Sequence, residues 1–317
     1  MSDRAGLLGR VLAGAGYAGW QAEALPADAS RRRYLRLRRG AGTRIVMDAP
    51  PEAAEDLAAF LRIGAHLRGL GLAAPEVLHG DPVNGILILE DLGPLQAARH
   101  LETRPGDEAE IYETAAAVLA RIQSAPPPPG LSPLDPATGA AMLAPFFAHA
   151  VTDPGLEAAI RAALADAMAA HAPGPMVLSL RDFHAENLIW RPGRAGLARL
   201  GLLDYQDAVL APPAYDLASL LDDVRRDVSP ETEARTLAAF ARLTETDPDC
   251  LTAARAVLSV QRNLRILGVF AALTRAGKPR YRAFLPRLRR HLGVGLAHPA
   301  LGPLRPLVAP VLSSEAA

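Results

Sequence analysis

Two short apolar segments, Asn187-Leu188-Ile189-Trp190 and Leu200-Gly201-Leu202-Leu203, constrain this chain most, because of the polar residues at their ends. Each has the length of a buried strand. Ser179-Leu180-Arg181-Asp182-Phe183-His184-Ala185-Glu186 leads into the first, and the second runs into Asp204-Tyr205-Gln206-Asp207. One carboxylate, an amide five residues later and a second carboxylate at a strand end suit phosphoryl transfer. Asp182 orients an acceptor hydroxyl and takes its proton, while Asn187 and Asp204 offer hard oxygens to Mg²⁺, whose shell water and phosphate complete. Alone, Asp182 or Asn187 reads as a turn residue or a cap. The joint pattern with Asp204 favours catalysis.

The surrounding pattern divides at residues 93 and 94. Residues 1–93 read as strand, strand, helix, strand, strand. Tyr34-Leu35-Arg36-Leu37 and Arg44-Ile45-Val46-Met47 alternate around a Gly-containing loop at Arg39–Gly42, as a hairpin does. A helix opening at Pro50-Pro51 places Leu57, Phe60, Leu61, Gly64 and Leu67 at helical spacing and stops at Gly69 and Gly71. Val77-Leu78 and Gly85–Leu89 supply the other strands. Residues 94–317 turn helical, over Glu108–Gln123, Ala214–Arg226, Thr232–Leu243, Leu251–Thr274 and Arg280–Leu292. The proline-rich stretch 293–317 reads as a wrapped or loose tail. The expected fold class is α+β in two lobes. A small N-terminal lobe, 1–93, holds an antiparallel sheet and one main helix, and a larger lobe, 94–317, is mostly helical.

Composition narrows the chemistry. Thirty-four basic residues balance 34 acidic ones over 317 residues, which gives no excess charge to draw nucleic acid or an anionic membrane. The one cysteine, Cys250, excludes an internal disulfide or a Cys-rich metal site. The start of the chain has no secretory pattern, and the apolar run near Ala140–Val151 is too short to span a membrane, so a cytoplasmic protein is expected. Lys278 is the only lysine, so 33 of the 34 basic residues are arginine. The balance is also uneven along the chain: residues 201–250 are net −7 and residues 251–317 net +10.

Arg181-Asp182-x-x-x-x-Asn187 with a strand-terminal Asp204 resembles the core of the protein-kinase-like fold, and the His184-x-x-Asn187 spelling is closest to its aminoglycoside phosphotransferase and choline kinase branch. Pro212-Pro213-Ala214-Tyr215-Asp216 resembles the segment that follows the metal aspartate there. Asp216 inherits from it a supporting role, accepting backbone hydrogen bonds from the catalytic loop. Four segments extend the likeness to the anomeric kinases of N-acetylmuramate and N-acetylglucosamine in peptidoglycan recycling: Asp28–Tyr34, Met47–Glu52, Leu89–Gly93 and Leu203–Ala208. The resemblance implies ATP and Mg²⁺ as cofactors, Asp182 as catalytic base, Asn187 and Asp204 as metal ligands, a small amino sugar as acceptor and a monomeric protein without nucleic-acid or membrane partners.

One departure stands out. The third strand of a kinase carries a lysine for the α- and β-phosphates, and Met47 occupies that place here. Ser30 and Arg31–Arg33 lie in the loop expected to cover the nucleotide. Arg32 falls on one strand face with Tyr34 and Arg33 on the other with Leu35, and alternation alone does not choose between them. Glu52 or Glu55 could serve as the helix acid. Glu90 to Leu92, which join the lobes, could bond adenine through their backbone. On the acceptor side, Arg262 and Arg265 share a helix face in the +10 block, suited to an acceptor with hydroxyls, an amide and a carboxylate. Asp207 is equally a metal or sugar contact or a turn cap. An aminoglycoside, choline-like or other hydroxyl acceptor, or a nucleotide-binding scaffold without catalysis, stays open.

Overall fold

A computed structural model describes residues 2–25, 32–49 and 54–313; Ser30, Arg31 and Glu52 lie outside the described residues. Alternation of apolar and basic residues builds β2 (Arg33–Arg39) and β3 (Gly42–Asp48), an antiparallel pair with Leu35 opposite Val46 and Tyr34 opposite Met47. Gly40, at φ +57°, makes the turn, a conformation open to glycine. β1 (Gln21–Ala24), β4 (Val77–Asp81) and β5 (Ile86–Glu90) complete an antiparallel sheet in the order β1-β2-β3-β5-β4.

Two helices clothe this sheet. Leu7, Leu8, Val11 and Leu12 repeat at helical spacing on α1 (Ser2–Gly14) and pack on Leu37, Val46 and Ile86. Arg4 fastens α1 to the sheet, donating to Asp48 Oδ1 at 2.5 Å from Nη2 and to the Ala49 and Asn84 carbonyls at 2.8 and 2.6 Å. Neither α1 nor β1 is expected from the sequence pattern. β1 is exposed along its whole length and earns its place by pairing with β2. The second helix is α2 (Ala54–Gly69).

The chain divides into two compact units, Met1–Gln96 with Leu188–Asp207, and Ala97–Asn187 with Ala208–Ala317. The hairpin of β7 (Leu188–Trp190) and β8 (Leu200–Leu202) therefore belongs with the N-terminal sheet although it lies a hundred residues downstream. Leu202 N–H donates to the Ala73 carbonyl at 2.8 Å and Trp190 N–H to Leu95 at 2.7 Å. Gly201 has no room for a side chain, because a Cβ would stand 2.8 Å from Leu92 Cδ1.

The second unit is helical. It contains α3 (Ala97–Thr103), α4 (Glu108–Gln123), α5 (Pro136–Ala141), α6 (Ala144–Ala150), α7 (Pro154–His171), α8 (Tyr215–Leu221), α9 (Pro230–Thr244), α10 (Pro248–Arg275), α11 (Leu285–Leu296) and α12 (Arg305–Ser313), plus the strand pair β6 (Val177–Ser179) and β9 (Val209–Ala211). Of the two readings of the proline-rich stretch, the described residues to Ser313 fit the wrapped one: α12 buries Val308 and Val311. α10 starts at Asp247, whose carboxylate caps the Asp249 and Cys250 N–H groups. Among the described residues it alone is long and apolar enough to cross a membrane, yet 61% of its most apolar window is buried inside the fold, as in a core helix. Gly268 lets α6 lie against it. A Cβ there would stand 2.2 Å from both Phe146 N and Pro145 C, backbone atoms that cannot swing aside.

The two charge blocks meet. Arg255 bridges Asp222 at 2.7 Å and Glu233 at 2.5 Å, Arg287 pairs with Asp227 at 2.7 Å, and Arg290 joins the same carboxylate. Three of the eleven basic residues of the +10 block are thus committed to the −7 block, so the net count overstates the basic surface left for an acceptor.

Gly268→Ala should destabilise the protein by at least about 2 kcal/mol, because relief requires α6 and α10 to separate. Urea unfolding against wild type measures this; an unchanged midpoint would show that the two helices are not in contact there.

Candidate active site

The loop bearing Asp182 is shaped by one buried carboxylate. Asp216, in the first turn of α8 and 2% exposed, accepts from Ser179 Oγ at 2.7 Å, Leu180 N at 2.7 Å and Arg181 N at 3.0 Å. Two consecutive N–H groups reach one carboxylate only if the backbone turns sharply, and Arg181 has φ +66°. Non-glycine residues in this left-handed region are uncommon. Asp204 is a second, at φ +57°, and among the described residues the only other is Glu245, which ends α9. Such strain concentrates at functional sites. Burial pushes the Asp216 carboxyl up to about 6 against its three donors, which favour the charged form.

Asp182 follows with its side chain 44% exposed, and Arg262 Nη2 lies 3.5 Å from its Oδ1. Partial burial opposes its charge, but Arg262, with Arg181 and Arg225, outweighs this and holds the carboxyl below the ordinary aspartate range. It is therefore ionised at neutral pH. Beside it, His184 is 4% exposed and burial pushes it down to about 4, so it is neutral. Asn187 Nδ2 donates to the Asp182 carbonyl at 2.9 Å, which turns Oδ1 away as an uncommitted hard oxygen. Asn187 immediately precedes β7. Asp204 follows β8 by two residues, is exposed, and accepts from Gln206 Nε2 at 2.7 Å. Among the described residues no group of three His, Cys, Asp or Glu forms a metal cage. The Asn187 amide oxygen and the Asp204 carboxylate are each hard oxygens of the kind that a cation such as Mg²⁺ prefers, with water and phosphate in its shell. Asp207 is exposed at the turn before β9.

In the N-terminal unit, Arg33 Nη2 bonds Asp48 Oδ2 at 2.5 Å, on the carboxylate that also holds Arg4. Arg32 is 4% exposed and hydrogen-bonds the Tyr34 hydroxyl. Met47 is fully buried, and the Tyr34 hydroxyl lies 3.5 Å from its sulfur. Burial raises the Tyr34 hydroxyl; the Arg32 charge opposes that, and the Asp204 carboxylate adds to it. Tyr205, also buried, stacks on Phe60 at 5.0 Å, and a Cβ on Gly64 would stand 2.6 Å from its hydroxyl.

The segment of Glu90 and Leu92 is held by Arg36, which donates to both Asp91 oxygens at 2.8 and 3.2 Å; Asp91 also accepts from Gly93 N at 3.0 Å. Glu90 pairs with Arg191 at 3.3 Å. Leu92 N–H has no backbone partner among the described residues, an open donor of the kind that an adenine ring needs.

On α10, Gln261 is structural, its amide donating to the Gly139 carbonyl at 3.0 Å in the core. Arg262 is buried and committed to Asp182. Arg265 is half-buried and makes no hydrogen bond or ion pair among the described residues; burial first, then the charges of Arg181 and Arg262, hold its pKa below the usual guanidinium value. Sequence reasoning missed Arg225, which bridges Glu186 at 2.9 Å and Asp223 at 3.4 Å, and the Arg36–Asp91 pair. Both are long-range ion pairs that leave no local pattern. The Tyr34–Met47 pairing was accessible from the hairpin register.

Comparisons with known proteins show the family. Over 96% of its length the chain is 39% identical to a protein of Caulobacter vibrioides, covering 95% of it, that is called N-acetylmuramate/N-acetylglucosamine kinase. A Pseudomonas aeruginosa protein of the same name is 32% identical over 91% of this chain and 88% of its own. A choline/ethanolamine kinase family protein from Mesorhizobium loti shares the fold with a TM-score of 0.66, covering 97% of this chain and 98% of its own at 17% identity. Residues 21–254, which include Arg32, the Asp182 loop, Asp204 and Asp216, match the phosphotransferase enzyme family, and the chain belongs to it.

Proposed function

We propose that the protein is an ATP-dependent sugar kinase that transfers the γ-phosphate to the anomeric hydroxyl of N-acetylmuramate and N-acetylglucosamine. The observation that carries this reading is the Asp182 carboxylate, which is ionised, half-exposed and fixed by Arg262 and by the loop that Asp216 clamps. A carboxylate in that state can orient a sugar hydroxyl and take its proton as the bond to phosphorus forms. The names of the relatives support the acceptor.

The proposed roles follow from each residue's chemistry. Asp182 is the base. Asn187 and Asp204 hold Mg²⁺, which when bound neutralises the phosphate charge. The backbone of Glu90 to Leu92 takes adenine, and Asp216 supports the catalytic loop. A polar cavity of about 290 Å³ in the helical unit, lined by Glu186, Asp223, Arg225, Arg226 and Arg287 among others, mixes both signs of charge. Such a lining bonds the hydroxyls and amide of a neutral or singly charged sugar better than it neutralises a polycationic aminoglycoside. Arg265, half-buried without an anionic partner among the described residues, suits the carboxylate that N-acetylmuramate carries and N-acetylglucosamine lacks.

Asp182→Asn should lower turnover by at least about 10³-fold and leave the melting temperature within a few degrees of wild type. Mass spectrometry of reactions with Mg-ATP and a panel of N-acetylmuramate, N-acetylglucosamine, choline and kanamycin should find phosphate on the two sugars only. That phosphate should be acid-labile, as an anomeric ester is, and an acid-stable product would exclude the anomeric position. Arg265→Gln should reduce kcat/KM for N-acetylmuramate about tenfold more than for N-acetylglucosamine; equal losses would remove Arg265 from carboxylate recognition.

A fourth expectation concerns Asp216. Its folded pKa near 6 exceeds the unfolded value of about 3.8, so between those values the folded state binds a proton that the unfolded state does not. Its contribution to stability therefore falls as pH rises through that window and is level above it. The stability of wild type relative to Asp216→Asn, from urea unfolding at pH 4 to 7, should drop by roughly 2 kcal/mol. A pH-independent difference would place the folded pKa at its ordinary value.

A further inference from the structure

The phosphates of a kinase's nucleotide need a fixed cation besides the metal, and Met47 cannot provide one. Lys278, just beyond α10, lies in the other compact unit. We propose that Arg32 is the cation that binds the nucleotide's phosphates, supplying from the residue that leads into β2 the charge that β3 lacks. The inference rests on the kinase reading above and names how that same site holds its nucleotide.

The hairpin separates the two candidate arginines. Register sets Tyr34 opposite Met47, and the two-residue period puts Arg32 on their face. Arg33 points to the face covered by α1, where it is tied to Asp48 beside Arg4. Arg32 is 4% exposed, a burial that an arginine tolerates only among polar partners. It bonds Tyr34, whose hydroxyl also feels the Asp204 carboxylate, and its charge reaches Tyr205, the residue after Asp204. Arg32 and the carboxylate assigned to the metal thus both act on Tyr34, and Arg32 lies on the strand face from which a third-strand lysine would project.

Arginine is suited to the exchange. It has five N–H donors in a planar fork that matches two phosphate oxygens at once. Its longer reach compensates for its place at the end of the neighbouring strand. Tyr34 holds the guanidinium in position and packs its hydroxyl on the Met47 sulfur at 3.5 Å, which fills the space that a lysine stem would take.

The test is calorimetric binding of Mg-ADP and of adenosine to the full-length protein, with thermal melts to confirm folding. Arg32→Met should weaken Mg-ADP by about 10- to 100-fold, the worth of losing a charged hydrogen-bond pair, and leave adenosine unchanged. Arg32→Lys and the double variant Arg32→Met/Met47→Lys should each recover part of the loss. Rescue by a lysine returned to β3 is a result that a merely structural role for Arg32 does not give. Wild-type Mg-ADP affinity in Arg32→Met overturns the proposal, as does an equal loss of adenosine or a loss that falls on Arg33→Met instead. Wild-type protein that binds neither ligand overturns the kinase reading itself.

Discussion

The Asp216 carboxylate is the constraint on which the Asp182 loop depends. It is buried and takes three donors, from the end of β6 and the two residues that follow. A buried charge with fewer partners would cost more than its hydrogen bonds return, so the loop must bring all three donors to it. Meeting that demand forces Arg181 into a left-handed conformation, and the turn at Arg181 sets the direction in which Asp182 leaves the loop. Asn187 then fastens the far end by donating to the Asp182 carbonyl. Asp182 and Asn187 are therefore placed by bonds within one loop, and that loop is anchored in the core at α8.

The polar pattern of this loop was legible in the sequence because its functions are local. Asp182, Asn187 and Asp204 sit at short fixed spacings around two strands, and the hairpin of β2 and β3 announces itself by alternation. What was not legible is what tertiary contact decides. α1 and β1 owe their existence to the sheet: α1 to the apolar face of Leu37, Val46 and Ile86, and β1 to the open edge of β2. Similarly, α7 (Pro154–His171) is so rich in alanine that its apolar stripe barely contrasts with its other face.

Charge shows the same limit from another side. A net of +10 in the last helices suggests an anion-binding surface, but charge counts carry no partners. Arg255, Arg287 and Arg290 pair with Asp222, Glu233 and Asp227 of the acidic block, and Arg262 serves Asp182. Arg265 alone of the α10 pair keeps its charge for something else among the described residues. A guanidinium beside two others, half withdrawn from water, is held against repulsion. The charge of Asp182 offsets only part of that repulsion.

The same reasoning bears on how a phosphotransferase can dispense with its third-strand lysine. A lysine at position 47 would put a compact charge at a fully buried position of β3, and its ammonium would need a partner in every state of the enzyme. Moving the charge to Arg32 shifts it one strand across and to the strand's end, where Tyr34 and the region of Asp204 already provide polar company with no nucleotide present. The sheet interior then keeps an apolar residue, Met47, whose flexible thioether fits beneath Tyr34. An almost lysine-free chain is compatible with this chemistry because what the phosphates require is a fixed positive charge on one face of the hairpin. Register, more than residue type, determines which side chain can deliver it.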